Sequence, residues 1–474
     1  MRYSLNLLAA TVFLVSSPVE AVVTNSSATN NPSVAKSVVS EEVKIAQVER
    51  KKQRQDEALR LNELGTQQLN RGEYREALNN FERALVIFRE IGERKSEGTL
   101  LNNIGEVYRN LGEYSKALDY YQQALAIRKQ VGDKVWQGIT FIDIGDVYNN
   151  LGKYPKALDY YQQALTIHKQ IGDKFWQGTT LKNIGDVYKK LGEHHKALSY
   201  YQQALAIRKQ VGDKALQGTT LIDIGDVYKK LGEHNKALSY YQQSLTIHKQ
   251  IGDKVWQGLI LNDIGGVYDN LGEYPKALSY YQQALAIDKQ IGNKSGEGTS
   301  LNNIGLVYKN LGEYKKALDY YQQALAIKKQ VSNKPHEGIA LNNIGEVYSN
   351  LGEYIKALDY YQQALAIHKQ IGNKPEEGAT LNNIATVYDS LGQYPKALDY
   401  YQQSLAIVKQ IGNKASEGTI LNNIGSVYRS LGEYPKALDY YQQALAIKKQ
   451  VGDKAVEGTI LNNIASLLLL KQPK

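Results

Sequence analysis

Shifted along itself by forty residues, the chain repeats. Gly105 falls over Gly145, Gly185, Gly225, Gly265, Gly305, Gly345 and Gly425, with Ala385 and Ala465 in the same place. Gly65 heads a more divergent first copy, so the chain reads as ten full copies and a closing half-copy. A period of this size confines the fold to an array in which each unit buries its apolar surface against its neighbours. End units diverge because they have only one neighbour. The composition follows from the copying: 36 tyrosines stand against 5 phenylalanines, beside 40 glycines.

Within a copy the apolar period is helical. Leu421, Ile424, Tyr428 and Leu431 recur at i, i+3, i+7 and i+10, one stripe on a first helix, A. Gly432 is placed as the left-handed residue that ends it, and Pro155, Pro275, Pro395 and Pro435 fall where a first-turn proline costs little. A second helix, B, is expected to bury Ala437, Leu438, Tyr441, Ala444, Leu445 and Val451 and to end at Gly452. Asp453 and its equivalents Asp133, Asp173, Asp213, Asp253, Asn293, Asn333, Asn373 and Asn413 then cap the next helix A. The pairs Arg128-Lys129, Arg208-Lys209, Lys328-Lys329 and Lys448-Lys449 lie in the last turn of helix B. Cations there complement the helix dipole by ~0.3–1 kcal/mol each.

Leu101-x-x-Ile104-Gly105-x-x-Tyr108, then Ala117-x-x-x-Tyr121 and Ala124, resembles the tetratricopeptide repeat, a helix-turn-helix unit. The forty-residue form, with its Gly-Asp-Lys junction and Leu-Asn-Asn-Ile-Gly run, is similar to the repeats of kinesin light chains, of Pins-type polarity adaptors and of bacterial, notably cyanobacterial, arrays. The resemblance runs from Leu59 to Leu470 and lacks the family's terminal proline. It implies an all-α, right-handed superhelical solenoid that binds proteins or peptides, and it carries over no catalytic role. The protease-like CHAT domain that follows many such bacterial arrays is absent from this sequence.

Opposite the stripe of helix A lie Thr419, Ser426, Ser430 and, within about 45°, Asn423. The resemblance implies that this side lines a concave surface. Asn423 recurs as Asn103, Asn183, Asn303, Asn343, Asn383 and Asn463, and gives way to Asp143, Asp223 and Asp263 in three copies. A carboxamide both donates and accepts, so such a ladder suits the backbone of an extended peptide whatever its side chains. In the kinesin-light-chain-like family the matching asparagines bind peptide, which makes these ten residues the candidate peptide-binding face. The alternative is that duplication copied an asparagine that caps, meets solvent or bonds to a neighbouring repeat. Acidic substitutions gather toward the N-terminal half, with Asp146, Asp186 and Asp226 one turn further on, and favour a ligand with basic residues there.

Other chemistry finds little support. With no cysteine there is no disulfide, thiolate nucleophile or lipid anchor. Lys+Arg 57 against Asp+Glu 48 gives +9, without the basic stripe of a nucleic-acid binder. His194 and His234 sit one repeat apart, about 10 Å or more, too far to share one metal ion. No cofactor is expected, and no P-loop or nucleophile motif is present. The reading is a non-catalytic scaffold for a protein or peptide ligand. Its rivals are a self-assembling structural scaffold and the recognition subunit of a separate protease-like effector.

The termini carry separate instructions. Arg2, an apolar run from Leu5 to Val15, then Ser16-Ser17-Pro18 and Val19-Glu20-Ala21 read as a signal peptide over residues 1–21. About 11 apolar residues are too few for a span of ~20, so no stable membrane insertion is expected after cleavage. Residues 22–40 read as a disordered linker and 41–58 as a charged lead-in helix, followed by repeats over 59–454 and a capping half-copy over 455–474. Leu469 and Leu470 stand where earlier copies are polar, and offer a surface for self-association. Mass spectrometry of the native protein should find its N-terminus near Val22, in a periplasmic or extracellular fraction. An intact Met1 or Arg2 would refute export by this route.

Overall fold

In a computed structural model the described residues are 32–470, and all 21 elements among them are α-helices. Ten A–B pairs are followed by a lone A helix, Lys454–Leu470. The helices divide into two units, residues 1–213 and 214–474. Each is an all-α solenoid of helix-turn-helix repeats. The signal peptide expected at 1–21 lies outside the described residues.

In the first unit, Arg94–Asn110 pairs with Tyr114–Gln130, Lys134–Asn150 with Tyr154–Gln170, and Lys174–Lys190 with His194–Val211. The lead-in differs from its sequence reading. Helix begins at Pro32, inside the stretch read as a linker, and runs without a break through Arg71. Pro32 is a favourable first helical residue, and no further proline or any glycine precedes Gly65, so nothing stops the helix at Ser40. Val43, Ile45 and Val48 are exposed along it, as a solvated lead-in requires.

The second unit repeats the scheme from Lys214–Lys230 with His234–Gln250 to Lys414–Ser430 with Tyr434–Val451, and ends on the lone A helix. Its core in each copy is built like Leu301, Ile304, Val307, Ala317, Tyr321 and Ala324, all at most 2% exposed. Each large aliphatic side chain so buried contributes ~1.5–3 kcal/mol. One contact sets the spacing of A and B. A β-carbon on Gly305 would lie 2.8 Å from the ring of Tyr321, so the missing side chain is what seats the tyrosine against the backbone of helix A. In the first unit Gly105 meets Tyr121 at 2.7 Å in the same way.

The expected stops and starts are present. Glycines such as Gly112, φ +77°, close the helices in the left-handed region, and only Ser332, φ 53°, does so with a side chain among the described residues. Asp133 accepts from Trp136 N at 3.2 Å, and Asn413 from Ser416 N at 3.1 Å, as N-caps. Helix A ends a residue earlier than its stripe suggested. Leu431 is the C-cap and 42% exposed, because the turn into helix B carries it off the buried face.

Helix B corrects the sequence reading more deeply. Val451 is exposed, and the buried position near the end of the helix is that of Lys448. Through the copies this slot holds Phe88, Arg128, His168, Arg208, His248, Asp288, Lys328, His368, Val408 and Lys448, none more than 5% exposed. Its cations are not dipole ornaments at the surface. Arg128 donates to Thr99 Oγ1 at 2.6 Å and to Asp133 Oδ2 at 3.2 Å. Lys328 donates to Ser295 O at 2.7 Å and Thr299 Oγ1 at 2.9 Å. Burial pulls the Lys328 ammonium down to about 8, against the attraction of Asp288.

Alanine at Gly305 gains ~1 kcal/mol of helix propensity and meets an overpacking cost of ~1–3 kcal/mol. Ala385 occupies the equivalent place with Tyr401 still buried. Gly305→Ala should therefore change stability little and Gly305→Val should cost more than ~2 kcal/mol in chemical denaturation.

Candidate functional site

Every residue of the predicted ladder is partly buried on helix A. In the second unit Asn303 Nδ2 donates to Asn262 Oδ1 at 3.2 Å, Asn343 to Asn302 at 2.9 Å, and Asn383 to Asn342 at 3.2 Å. Asn423 donates to Asn382 at 3.3 Å and Asn463 to Asn422 at 3.0 Å. Each bond runs from the second asparagine of one Leu-Asn-Asn-Ile run to the first asparagine of the preceding run. The predicted ladder is thus half of a double one. The partner rail, absent from the sequence reading, was visible there only as the doublet, because the bond joins residues 41 apart that no single helix face brings together.

The rail breaks where the first position of the run is no longer asparagine. In the first unit Asn103 donates to Asn62 at 3.0 Å, but Asn183 has Ile142 at its partner position. Asp143 keeps a rung of reversed polarity, accepting from Asn102 Nδ2 at 2.6 Å while Thr140 Oγ1 donates to Asn102 Oδ1 at 2.9 Å. In the second unit Asp223 is partly buried, and Asp263 has the buried Ile222 at its partner position.

The carboxyls here are unusual. Burial pushes Asp143 up to about 7, with Arg109 opposing and Glu106 and Asp146 adding to the rise. Asp263 is also raised to about 7 by burial and then by the charge of Asp226, with Lys229 opposing. Around Asp143, Arg109 bridges Asp146 at 3.1 Å and Glu106 at 3.2 Å, and Tyr161 donates to Asp146 Oδ1 at 2.6 Å. Asp186, the next of the expected acidic series, accepts from Lys182 and Tyr201, both at 2.7 Å. The acidity inferred for this face is thus partly neutralised by its own cations and by proton uptake.

In the second unit a cavity of about 270 Å³ adjoins the ladder, lined by Ala379, Asn382, Asn383, Val408, Asn413 and Thr419 among others. It lies where Arg128 reaches Thr99 and Asp133 in its own copy, since Val408, Ala379 and Asn413 are the equivalents of those three. Among the described residues no cluster of three or more metal-ligating side chains occurs, and no helix is long and apolar enough to cross a membrane.

A family model described as "Tetratricopeptide repeat" matches residues 56–130, 136–210, 176–250, 216–290, 256–330, 336–410 and 416–473. No curated protein matches the chain significantly. Among solved structures, the apo form of the quorum sensor NprR from B. thuringiensis is 20% identical, with a TM-score of 0.51, over 76% of this chain and 99% of that one. A signal transduction ATPase with a tetratricopeptide repeat sensor from Pyrococcus horikoshii is 21% identical, with a TM-score of 0.50, over 73% of this chain and 54% of that one. Aspartyl phosphate phosphatase F from Bacillus subtilis is 15% identical, with a TM-score of 0.50, over 75% and 94%. At these identities the likeness is one of fold.

The raised Asp143 carboxyl has a stability consequence of definite sign. Its folded value lies above the ~3.9 of an unfolded aspartate, so its ionisation costs nothing below pH ~4, progressively more up to pH ~7, and a constant amount above. Asp143→Asn, the residue most copies carry, should raise the unfolding midpoint at pH 8 and leave it unchanged at pH 4. The gain is bounded by about 4 kcal/mol.

Proposed function

The chain belongs to the tetratricopeptide repeat family, and on that premise we propose that it is a non-catalytic scaffold holding an extended peptide or partner protein along the asparagine face of its A helices. The rungs from Asn262 to Asn463 are bonds to a neighbouring repeat, as the architectural alternative expects. What supports ligand binding is that each rung uses only one donor of Asn303, Asn343, Asn383, Asn423 and Asn463 on a partly buried face. A carboxamide has two N–H donors and two acceptor lone pairs, and each rung commits one donor and one acceptor site. The rung also fixes the plane of both amides. A ligand therefore meets hydrogen-bonding groups whose rotamer entropy, ~0.5–1.5 kcal/mol per side chain, has been lost on folding instead of on binding. We place this work outside the cytoplasm, on the strength of the N-terminal apolar run.

A second reading rests on one specific feature. Leu461, Leu468 and Leu469 are 48%, 49% and 70% exposed on the last described helix, Lys454–Leu470. That face favours association of copies, and light scattering against concentration tests it. Mass that rises in the wild type but not in a Leu468→Gln, Leu469→Gln variant supports it.

The ladder permits a clean separation of folding from binding. Replacing Asn343, Asn383 and Asn423 by alanine breaks the same three rungs as replacing Asn302, Asn342 and Asn382, each worth ~0.5–1.5 kcal/mol. The two triple variants should lose similar stability. Affinity for a partner captured on the wild-type chain should fall in both, through the lost orientation of the amides, and at least tenfold further in the first, which also removes the contacting groups. Equal affinity in both would assign the asparagines to architecture alone.

A further inference from the structure

His168, His248 and His368 occupy the buried slot of helix B at 0% exposure, and neither ring nitrogen of any of them has a hydrogen-bond partner. Buried polar atoms without partners are rare enough to need a reason. The packing leaves the rings no retreat. A β-carbon on Gly138 or Gly218 would sit 2.3 Å from Nε2 of His168 or His248, and one on Gly338 would sit 2.5 Å from Cε1 of His368. On the other side, the next helix A lays Trp176 over His168, with ring centres 6.1 Å apart, and Trp256 over His248 at 5.7 Å.

We propose that these three histidines form an acid-responsive element that loosens their repeat junctions as the pH falls below about 6.5, the range in which an imidazole takes up its second proton. As neutral plates the rings fill the space between helices. Protonated, each has two N–H donors and a charge with no solvent.

The groups facing each ring set how well that charge is met. Asp173 at the following cap and the backbone of Gly138 face His168, and both favour its charged form. Asp253 faces His248, its Oδ2 3.8 Å from Nδ1. Glu376 and Glu377 face His368, with Glu377 engaged at 2.7 Å by Lys374. On the glycine side the equivalents of Thr99, which supports the cation of Arg128, are Ile139, Thr219 and Ile339. His248 alone therefore has both a capping carboxylate and a threonine resembling the Arg128 arrangement, and is the least acid-sensitive of the three. Burial holds all three rings below the ordinary imidazole range. The folded state thus resists protonation that the unfolded chain accepts, and stability is lost as the pH falls through 6.5 toward the folded values.

The chain supplies its own control and its own probe. Phe88 fills this slot in the first copy at 1% exposure, so phenylalanine is a side chain the slot accepts. Two of the three tryptophans stack on slot histidines, and the third, Trp136, lies 5.0 Å from Arg128. In a Trp136→Phe background, indole emission should titrate between pH 7 and 5 with a midpoint below 6.5. The thermal midpoint should fall over the same range. The triple variant His168→Phe, His248→Phe, His368→Phe should lose both responses, and the single change at His248 should remove the smallest share. Asp143 and Asp263 titrate near pH 7 with the opposite effect on stability and remain in the triple variant, so the difference between the two chains isolates the histidines. An emission signal flat from pH 7 to 5 would overturn the proposal, even if the triple variant failed to fold. So would an equal fall in midpoint with and without the histidines.

Discussion

The architecture depends on a tyrosine ring lying where a side chain is missing. In copy after copy the phenol of helix B sits on the bare backbone of a helix A glycine, as Tyr161 does on Gly145 and Tyr441 on Gly425, and the A–B distance follows from it. Protein interiors are dense enough that a single methylene is felt, so this contact sets the spacing within every pair that has the glycine. Through the pair it sets the position of the next helix A, the asparagine rungs between successive A helices, and the slot between them. Ala385 marks the limit of the rule, since Tyr401 stays buried beside its methyl group.

Much of this was legible in the residues. The stripe, the left-handed glycines and the Asp or Asn caps are local signals, written within one helical turn of where they act, and the structure has them where the spacing placed them. Two kinds of feature escaped. The slot of Arg128 and Lys448 has the sequence appearance of a charged helix end, because its acceptors Thr99 and Asp133 come from different helices. A helical wheel cannot show that a cation is enclosed. The ladder was found on its face, but the rung partners were not, since Asn342 and Asn383 meet only once two repeats are stacked. Both misses concern contacts between units of an array, which is where such a fold keeps its tertiary information.

The copies are near-identical in text and unequal in chemistry. The rungs form a continuous series only from Asn262 onward in the second unit, while the first unit substitutes Ile142 and the carboxyl of Asp143. Between helices the slot ranges from arginine to aspartate to valine, with the neighbouring position following suit. Threonine stands beside Arg128, Arg208, Lys328, Lys448 and also His248, and isoleucine, leucine or alanine stands beside His168, Asp288, His368 and Val408. Changes at two positions on different helices make the slot the interior place where the copies differ most in chemistry, with a few solutions shared among them.

That individuality bears on how such a chain assembles. A polypeptide built from interchangeable helices can dock a B helix onto the wrong A helix and lose almost no apolar contact, a hazard particular to repeat arrays. Misdocking the helix of Lys328 onto the strip that holds Ile339 would enclose an ammonium without the hydroxyl of Thr299, and separating that of Asp288 from the helix that follows would strip it of Ser300. Each error leaves a buried charge uncompensated, a cost of several kcal/mol that correct neighbours avoid. The slot thus gives copies that differ there different interior partners, so that docking between such copies is no longer free of cost.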